Sequence, residues 1–289
     1  MKNLLVFTLL SLLLTSCATN RIAGWKKMFS GKALTKSEVA SEMKRAKGFW
    51  RKRDSKESLL KSLSSFEKIA NSNNSYEAMA YLSRGYYLLA DGHLDNMEEK
   101  KRNWEVGISW GEKAMATNPE FKKRVIDNGE KIEDVLKFLN KGQIEAIYWT
   151  AVNLGKWGKN SGIATVLKYK AQIKNMINRV GELDKNFFYG AFDRYWGAYY
   201  AVAPGFAGGD MDKSIKSFNS AIKTEKNYLG NYVLVASYWA TKKGDKELFV
   251  KNLNKVLKAN PNRLRAIAPE NKLEQRKAKK LLAQIDELF

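Results

Sequence analysis

From about Ser55 onward, apolar residues recur along the chain at spacings of three and four. Leu59, Leu63, Phe66 and Ala70 form one such stripe, and Phe249, Leu253, Val256 and Leu257 form another. A helix with one buried face has this period. No stretch alternates apolar and polar residues with period two, so the chain reads as all-α. Asn118-Pro119, Asn260-Pro261, Gly208-Gly209-Asp210 and Gly244-Asp245 punctuate the helices as stops and turns. Residues 18 to about 54 are polar and basic, and part of them is expected to form a first helix around Ser37 to Lys52, the rest a tether. At the N-terminus Met-Lys-Asn precedes an apolar run from Leu4 to Leu14 (LLVFTLLSLLL). That run is about half of the roughly 20 residues a spanning helix needs. With small residues at its end it reads as a secretory signal.

The helical pattern repeats in pairs. Tyr76 to Gly92 (YEAMAYLSRGYYLLADG) with Ile108 to Pro119 (ISWGEKAMATNP) resembles the two helices of a tetratricopeptide repeat. Leu82, Ser83, Tyr86 and Tyr87 supply its large, small and aromatic positions, and Ala114 and Pro119 fit the second helix and its end. The match needs about ten extra residues between the helices. A looser pair runs from Glu145 to Gly158 and from about Thr165 to Asp184. A third joins the aromatic helix Tyr189 to Tyr200 with Gly209 to Lys226, where Phe218 and Ala221 are in register, and a fourth closes from Gly244 to Pro261. None of these units can bury its apolar face alone, so they must stack. The expected fold is an all-α, tetratricopeptide-like superhelix of helical pairs with extra helices.

Composition narrows the chemistry. Apolar residues make up 44% and aromatics 12%, a globular balance, but there are only 1 Cys and 1 His. A disulfide scaffold, a His/Cys zinc site and a triad with a spare histidine are therefore excluded, and no metal or cofactor is expected. Gly107-Ile108-Ser109-Trp110-Gly111 spells the serine-hydrolase elbow, which needs a strand before it and a histidine base near it. The repeat instead puts Ser109 inside a helix, and His93 reads as a turn residue. The pairs Glu98-Glu99 and Glu133-Asp134 read as solvated helix faces, and no strand precedes a Gly cluster as a phosphate loop requires. No catalytic residue is assigned.

Lys and Arg number 51 against 30 Asp and Glu, a net charge of +21. A secreted chain does not meet nucleic acid, so the basic faces point to anionic lipid, cell-wall polymer or an acidic partner. Lys44, Arg45, Lys47, Arg51, Lys52 and Arg53 lie near the tether and are the expected membrane or anionic contact. Arg276, Lys277, Lys279 and Lys280 read as a solvated helix face. In stacked pairs the first helices line the concave side, and many aromatics fall on them. Of these, Tyr148, Trp149, Trp157, Tyr199 and Tyr200 are expected to line a ligand or partner groove, since Tyr and Trp combine contact area with a polar handle.

Leu14-Thr15-Ser16-Cys17 resembles a bacterial lipobox. The resemblance implies a signal peptide over residues 1–16 and an acylated Cys17, stably held because it carries more than one chain. Ala18, in place of a retaining Asp, permits transfer to the outer membrane. The resulting division is a segment 17–54 with lipidated Cys, basic tether and first helix, then an all-helical domain 55–289.

Four strings are more specific. They are Ile147-Tyr148-Trp149 with Leu154-Gly155-Lys156-Trp157; Gly197-Ala198-Tyr199-Tyr200 with Gly208-Gly209-Asp210; Asn227 to Tyr232 (NYLGNY); and Ile267 to Ala278 (IAPENKLEQRKA). With the lipobox, the chain from about Ser55 resembles the T-component lipoproteins associated with TRAP transporters, the TatT-like family. The resemblance implies a periplasmic helical lipoprotein with an internal cleft or pore. It also implies a solute-binding protein of a TRAP transporter as partner, and self-association as a trimer. The chain is thus read as a binding protein of the bacterial envelope, not an enzyme, taking an apolar or organic-acid ligand, a solute-binding partner, or both. The alternative is an envelope scaffold that joins proteins and holds no small molecule.

Overall fold

A computed structural model describes residues 20–27 and 31–289, so the signal segment and Cys17 lie outside the described residues. Those residues contain helices and turns but no strand, and no helix among them is long and apolar enough to cross a membrane. Helix α1 (Lys36–Trp50) starts at a capping box, in which Thr35 accepts from the Glu38 backbone and Glu38 returns the bond. It packs on α2 (Lys56–Asn73), and buries Ala46 and Trp50. The basic segment is therefore folded against the repeats along its helical part. Helices α3 (Tyr76–His93) and α4 (Met97–Met115) follow, capped by Ser75 and Asn96. The ten or so residues that separated the two halves of the first repeat extend α4 at its start rather than forming a loop.

Short helices α5 (Pro119–Lys122) and α6 (Ile132–Val135) lead to α7 (Ile144–Lys159) and α8 (Ile163–Leu183). Next come α9 (Phe187–Val202) and α10 (Met211–Thr224). Then α11 (Gly230–Leu234) runs through a π turn (Val235–Ala240) into α12 (Thr241–Lys243), and α13 (Lys246–Lys258) returns beside it. Both Gly-Asp turns work in the same way. Gly208 and Gly244 adopt left-handed φ of 95° and 68°, and the next Asp, Asp210 or Asp245, caps the following helix. Helix α14 (Ala268–Ala283) then folds back onto α3, α11 and α13, before a last turn α15 (Ile285–Leu288).

The hydrolase-like motif has a packing role. Ser83 donates to the Gly107 carbonyl at 2.8 Å, and Asn153 donates to the Ser83 carbonyl at 2.9 Å, so side chains of α3 and α7 bond the backbones of α4 and α3 where the three helices cross. A Cβ on Gly107 would lie 2.7 Å from Asn153 Nδ2, and one on Gly111 would overlap Thr150 Oγ1. The two glycines are what that crossing needs. Ser109, between them, faces the other way and receives Lys27 Nζ at 3.1 Å. Gly111→Ala is expected to cost about 1–2 kcal/mol by forcing α4 and α7 apart. Thermal melts of the variant check this, and an unchanged midpoint would mean that the crossing gives way freely.

Candidate functional site

The return of α14 onto α3 creates the polar interior. Glu270, in the first turn of α14, accepts from Arg53 Nε at 2.8 Å and from Arg84 Nη2 at 2.6 Å. Arg53 lies in the turn after α1 and also donates to the Trp50 and Ala266 carbonyls at 3.0 and 2.7 Å. The three side chains are 5%, 3% and 13% exposed, in the order Glu270, Arg53, Arg84. Burial alone would raise the Glu270 pKa. Arg84 and Arg53 outweigh it and hold the carboxyl below its ordinary value. The Arg84 guanidinium is also packed over the Phe188 ring, 4.7 Å from its centroid.

Beside this triad lies a cavity of about 500 Å³, walled by α3, the start of α4, α7, α9, the α11 rod and α14. Leu273 of the larger apolar core and Val233 of the smaller C-terminal one both border it, so it sits between the two cores. Arg194 projects from α9 at its inner wall, 5% exposed. It donates to Tyr148 Oη at 3.1 Å and to the carbonyls of Phe188 and Tyr189, both at 3.1 Å, while the Tyr228 ring lies over it with 4.3 Å between guanidinium and centroid. Those two carbonyls point at Arg194 because Phe188, Tyr189 and Gly190 form a left-handed turn, with φ of 41°, 61° and 81°. Such a conformation costs on the order of 1–3 kcal/mol at each non-glycine residue, and strain of this kind gathers at functional sites. Gly190 is required twice over, since a Cβ there would also press on Ala221 at 3.0 Å.

The opposite wall carries Asp91, which receives Lys156 Nζ at 2.7 Å and also Lys277 Nζ. Burial would push the Asp91 pKa up, but the two lysines hold it far below the carboxylate range. Around the cavity Lys100, Lys156, Arg194, Arg276, Lys277 and Lys280 face Asp91, Asp95 and Glu274. The balance is positive, so the space favours an anion. Arg84 Nε and Asn231 Nδ2 are buried without a hydrogen-bond partner among the described residues, but neither residue lines the cavity; Asn231 meets it only through Arg194, which donates to its Oδ1 at 3.3 Å.

The sequence-predicted residues are distributed differently. Tyr148, Trp149 and Trp157 are 5%, 2% and 3% exposed and belong to the core, not to an open groove, because α7 is covered by α3, α4 and α8. Tyr148 nevertheless touches the site, through Arg194. Tyr199 and Tyr200 are half-buried on α9 away from the cavity; Tyr199 Oη donates to the Ala207 carbonyl at 2.6 Å and pins the Pro-Gly loop. Lys44, Arg45, Arg51 and Lys52 are exposed, and Lys47 pairs with Glu77 at 2.6 Å. Arg53 departs from the expected anionic contact by turning inward to Glu270. Of the four residues read as a solvated helix face, Arg276, Lys279 and Lys280 are exposed, Arg276 donating to the Asp54 carbonyl at 2.9 Å, whereas Lys277 departs by entering the cavity wall. His93 ends α3 with its ring against the Arg53 carbonyl at 2.9 Å. Arg84, Asp91, Arg194 and Glu270 were not anticipated. The one signal for them is a charge inside an otherwise apolar or aromatic helix, as at Arg84 and Arg194, because such a residue is seldom buried without a partner.

The family described as TRAP transporter T-component matches residues 94–289, about two thirds of the chain and including every cavity element from α4 onward. A UDP-glucose 6-dehydrogenase of Rickettsia bellii (strain RML369-C) is 28% identical over 154 residues, covering 46% of this chain. The chain spans only 34% of that relative's length.

Proposed function

The chain belongs to the TRAP transporter T-component family, and from that membership we propose that it is an acyl-anchored periplasmic binding component whose cavity receives an organic anion and whose surface meets the transporter's solute-binding protein. The family is a transport accessory of the cell envelope, and the proposed role is binding without bond-making. One observation carries the anion reading: Arg194, held under Tyr228 in a cavity with an excess of cations. Anchoring through Cys17 to the outer membrane, with Ala18 after it, and a trimeric state belong to the same proposal. The dehydrogenase likeness brings no activity with it. Nicotinamide chemistry needs a Gly-rich turn between a strand and a helix, and the described residues hold no strand.

Native mass spectrometry of the chain, alone and mixed with the periplasmic solute-binding proteins of its host, tests the reading. A defined complex with one of them, or a co-purifying small organic acid, is the expected result. Lys100→Glu combined with Lys280→Glu is expected to weaken that acid's binding about tenfold, through two reversed charges at the rim. An empty chain that ignores every solute-binding protein would move the assignment to an envelope scaffold.

A further inference from the structure

The first turns of α8 are apolar on their open side. Ile163 and Leu167 are 67% and 59% exposed, and they share one helical face with Lys170 and Lys174. Lys170 Nζ reaches the Ala207 carbonyl at 3.1 Å, which brings the loop Gly205–Ala207 against this helix. That loop holds out Phe206, 94% exposed, and Val202 at the end of α9 is 43% exposed. Four large apolar side chains thus share one region of the surface, more than scattered exposure accounts for.

The surroundings specify what covers it. Helix α8 carries no carboxylate before Glu182, and residues 20–27 and 203–209 carry none at all. Lys168, Lys170, Lys174, Lys26 and Lys27 supply cations along the same elements. Asn20 accepts from Lys168, one residue from Leu167, while Arg21 is fixed to Glu112 at 2.9 Å. Asn20 lies only three positions after Cys17, at most about 10 Å of chain. The acyl anchor and the apolar, lysine-rimmed surface therefore emerge side by side.

We propose that the surface formed by Ile163, Leu167 and Phe206 rests in the interfacial layer of an anionic phospholipid bilayer, with its lysines on the headgroups, and so sets how the chain stands on the membrane. The inference rests on the reading that Cys17 is acylated, and it moves the membrane contact from the basic turn after α1 to the start of α8. Interfacial binding combines apolar insertion with attraction to anionic lipid in this way. Tilted so, the chain keeps a fixed orientation on its anchor rather than swinging freely.

Because Cys17 is the only cysteine and acylation blocks it, one introduced thiol can be labelled selectively. The full chain is made in a bacterial host that acylates lipoproteins, with Leu167→Cys or Phe206→Cys and, as control, Lys258→Cys on exposed α13. Each is labelled with an environment-sensitive dye and bound to vesicles of phosphatidylethanolamine with phosphatidylglycerol. Blue-shifted emission and quenching by brominated lipid at 167 and 206, absent at 258 and reduced in purely zwitterionic vesicles, is the expected result. Chain that floats with the vesicles but whose dyes at 167 and 206 stay as wet as the control overturns the proposal and leaves the anchor standing. Chain that does not float overturns both. Shielding that arises only on adding another protein would assign the surface to protein docking and overturn the lipid contact.

Discussion

Glu270→Ala is expected to destabilise the fold by about 3–5 kcal/mol, because it strands two guanidinium groups that have already given up their water. Arg53 and Arg84 converge on the same carboxylate, and among the described residues neither forms an ion pair with a second one, although Glu145 also acts on Arg84 at longer range. The site joins the turn after α1 to α3 and α14, more than 200 positions apart in sequence at its widest, so its loss opens the end-to-end closure of the superhelix. Urea unfolding followed by circular dichroism measures the effect. Glu270→Gln should fall between, since it keeps an acceptor and loses the charge. Replacing Arg53, Arg84 and Glu270 together by Met should recover much of the loss, because an apolar trio of similar volume needs no desolvation. A loss below about 1 kcal/mol in Glu270→Ala would mean that water reaches the arginines and that the triad is not a closure.

The same contact fixes the acid limit. Glu270 has its folded pKa depressed by Arg84 and Arg53 against the upward push of burial, and Asp91 has its own depressed by Lys156 and Lys277. In the unfolded chain both carboxyls take up protons near pH 4. Unfolding below that point therefore binds protons that the native state refuses, and stability falls as pH drops through that range. From about pH 5 to neutrality these two groups should contribute a constant amount, with the loss confined to more acid solution.

What could be read from the sequence follows from what is local. The stripe Leu59, Leu63, Phe66, Ala70 and the Gly-Asp turns at 208–210 and 244–245 depend on neighbours a few residues away, and all lie where the period and turn chemistry placed them. Trp149 was misplaced because the helical pattern assigns it to the inner row of helices without saying how closely that row is packed. Its indole donates to Glu145 one turn back, and its ring meets Tyr87 at 5.4 Å and Phe188 at 5.0 Å, so the inner row is closed there. The charged interior depends on α14 meeting α3. Asp91 and Lys277 are 186 positions apart, and in the sequence Lys277 is indistinguishable from its solvated neighbour Lys279. The left-handed turn at Phe188 to Gly190 has one local sign, Gly190, and two aromatic residues whose ordinary preference points the other way.

Asp91→Ala is expected to move stability and anion affinity in opposite directions. At neutral pH it should cost about 2–3 kcal/mol, less than the loss at Glu270 because Lys156 and Lys277 keep 29% and 28% of their side chains in solvent. Lys277 retains Glu274 at 2.9 Å, which leaves Lys156 as the stranded charge. In the native protein burial would lower the Lys156 pKa, but Asp91 reverses this and raises it. Stability from that pair is then complete below the unfolded lysine pKa and is lost as pH climbs past it, above about pH 10. Without Asp91 the burial effect remains and the folded pKa drops below the unfolded one. The variant's stability should therefore rise with pH, through the range in which the native protein's is still level, until the unfolded lysine too has lost its proton. Over the same change the cavity loses a negative charge, so an organic anion that binds there should bind more tightly. Denaturation midpoints taken from pH 7 to 11, beside calorimetric titration of the anion, separate the two effects. If both fall together, Asp91 contacts the ligand itself; if the pH slope keeps its native sign, Lys156 has found solvent and the cavity wall is open at that point.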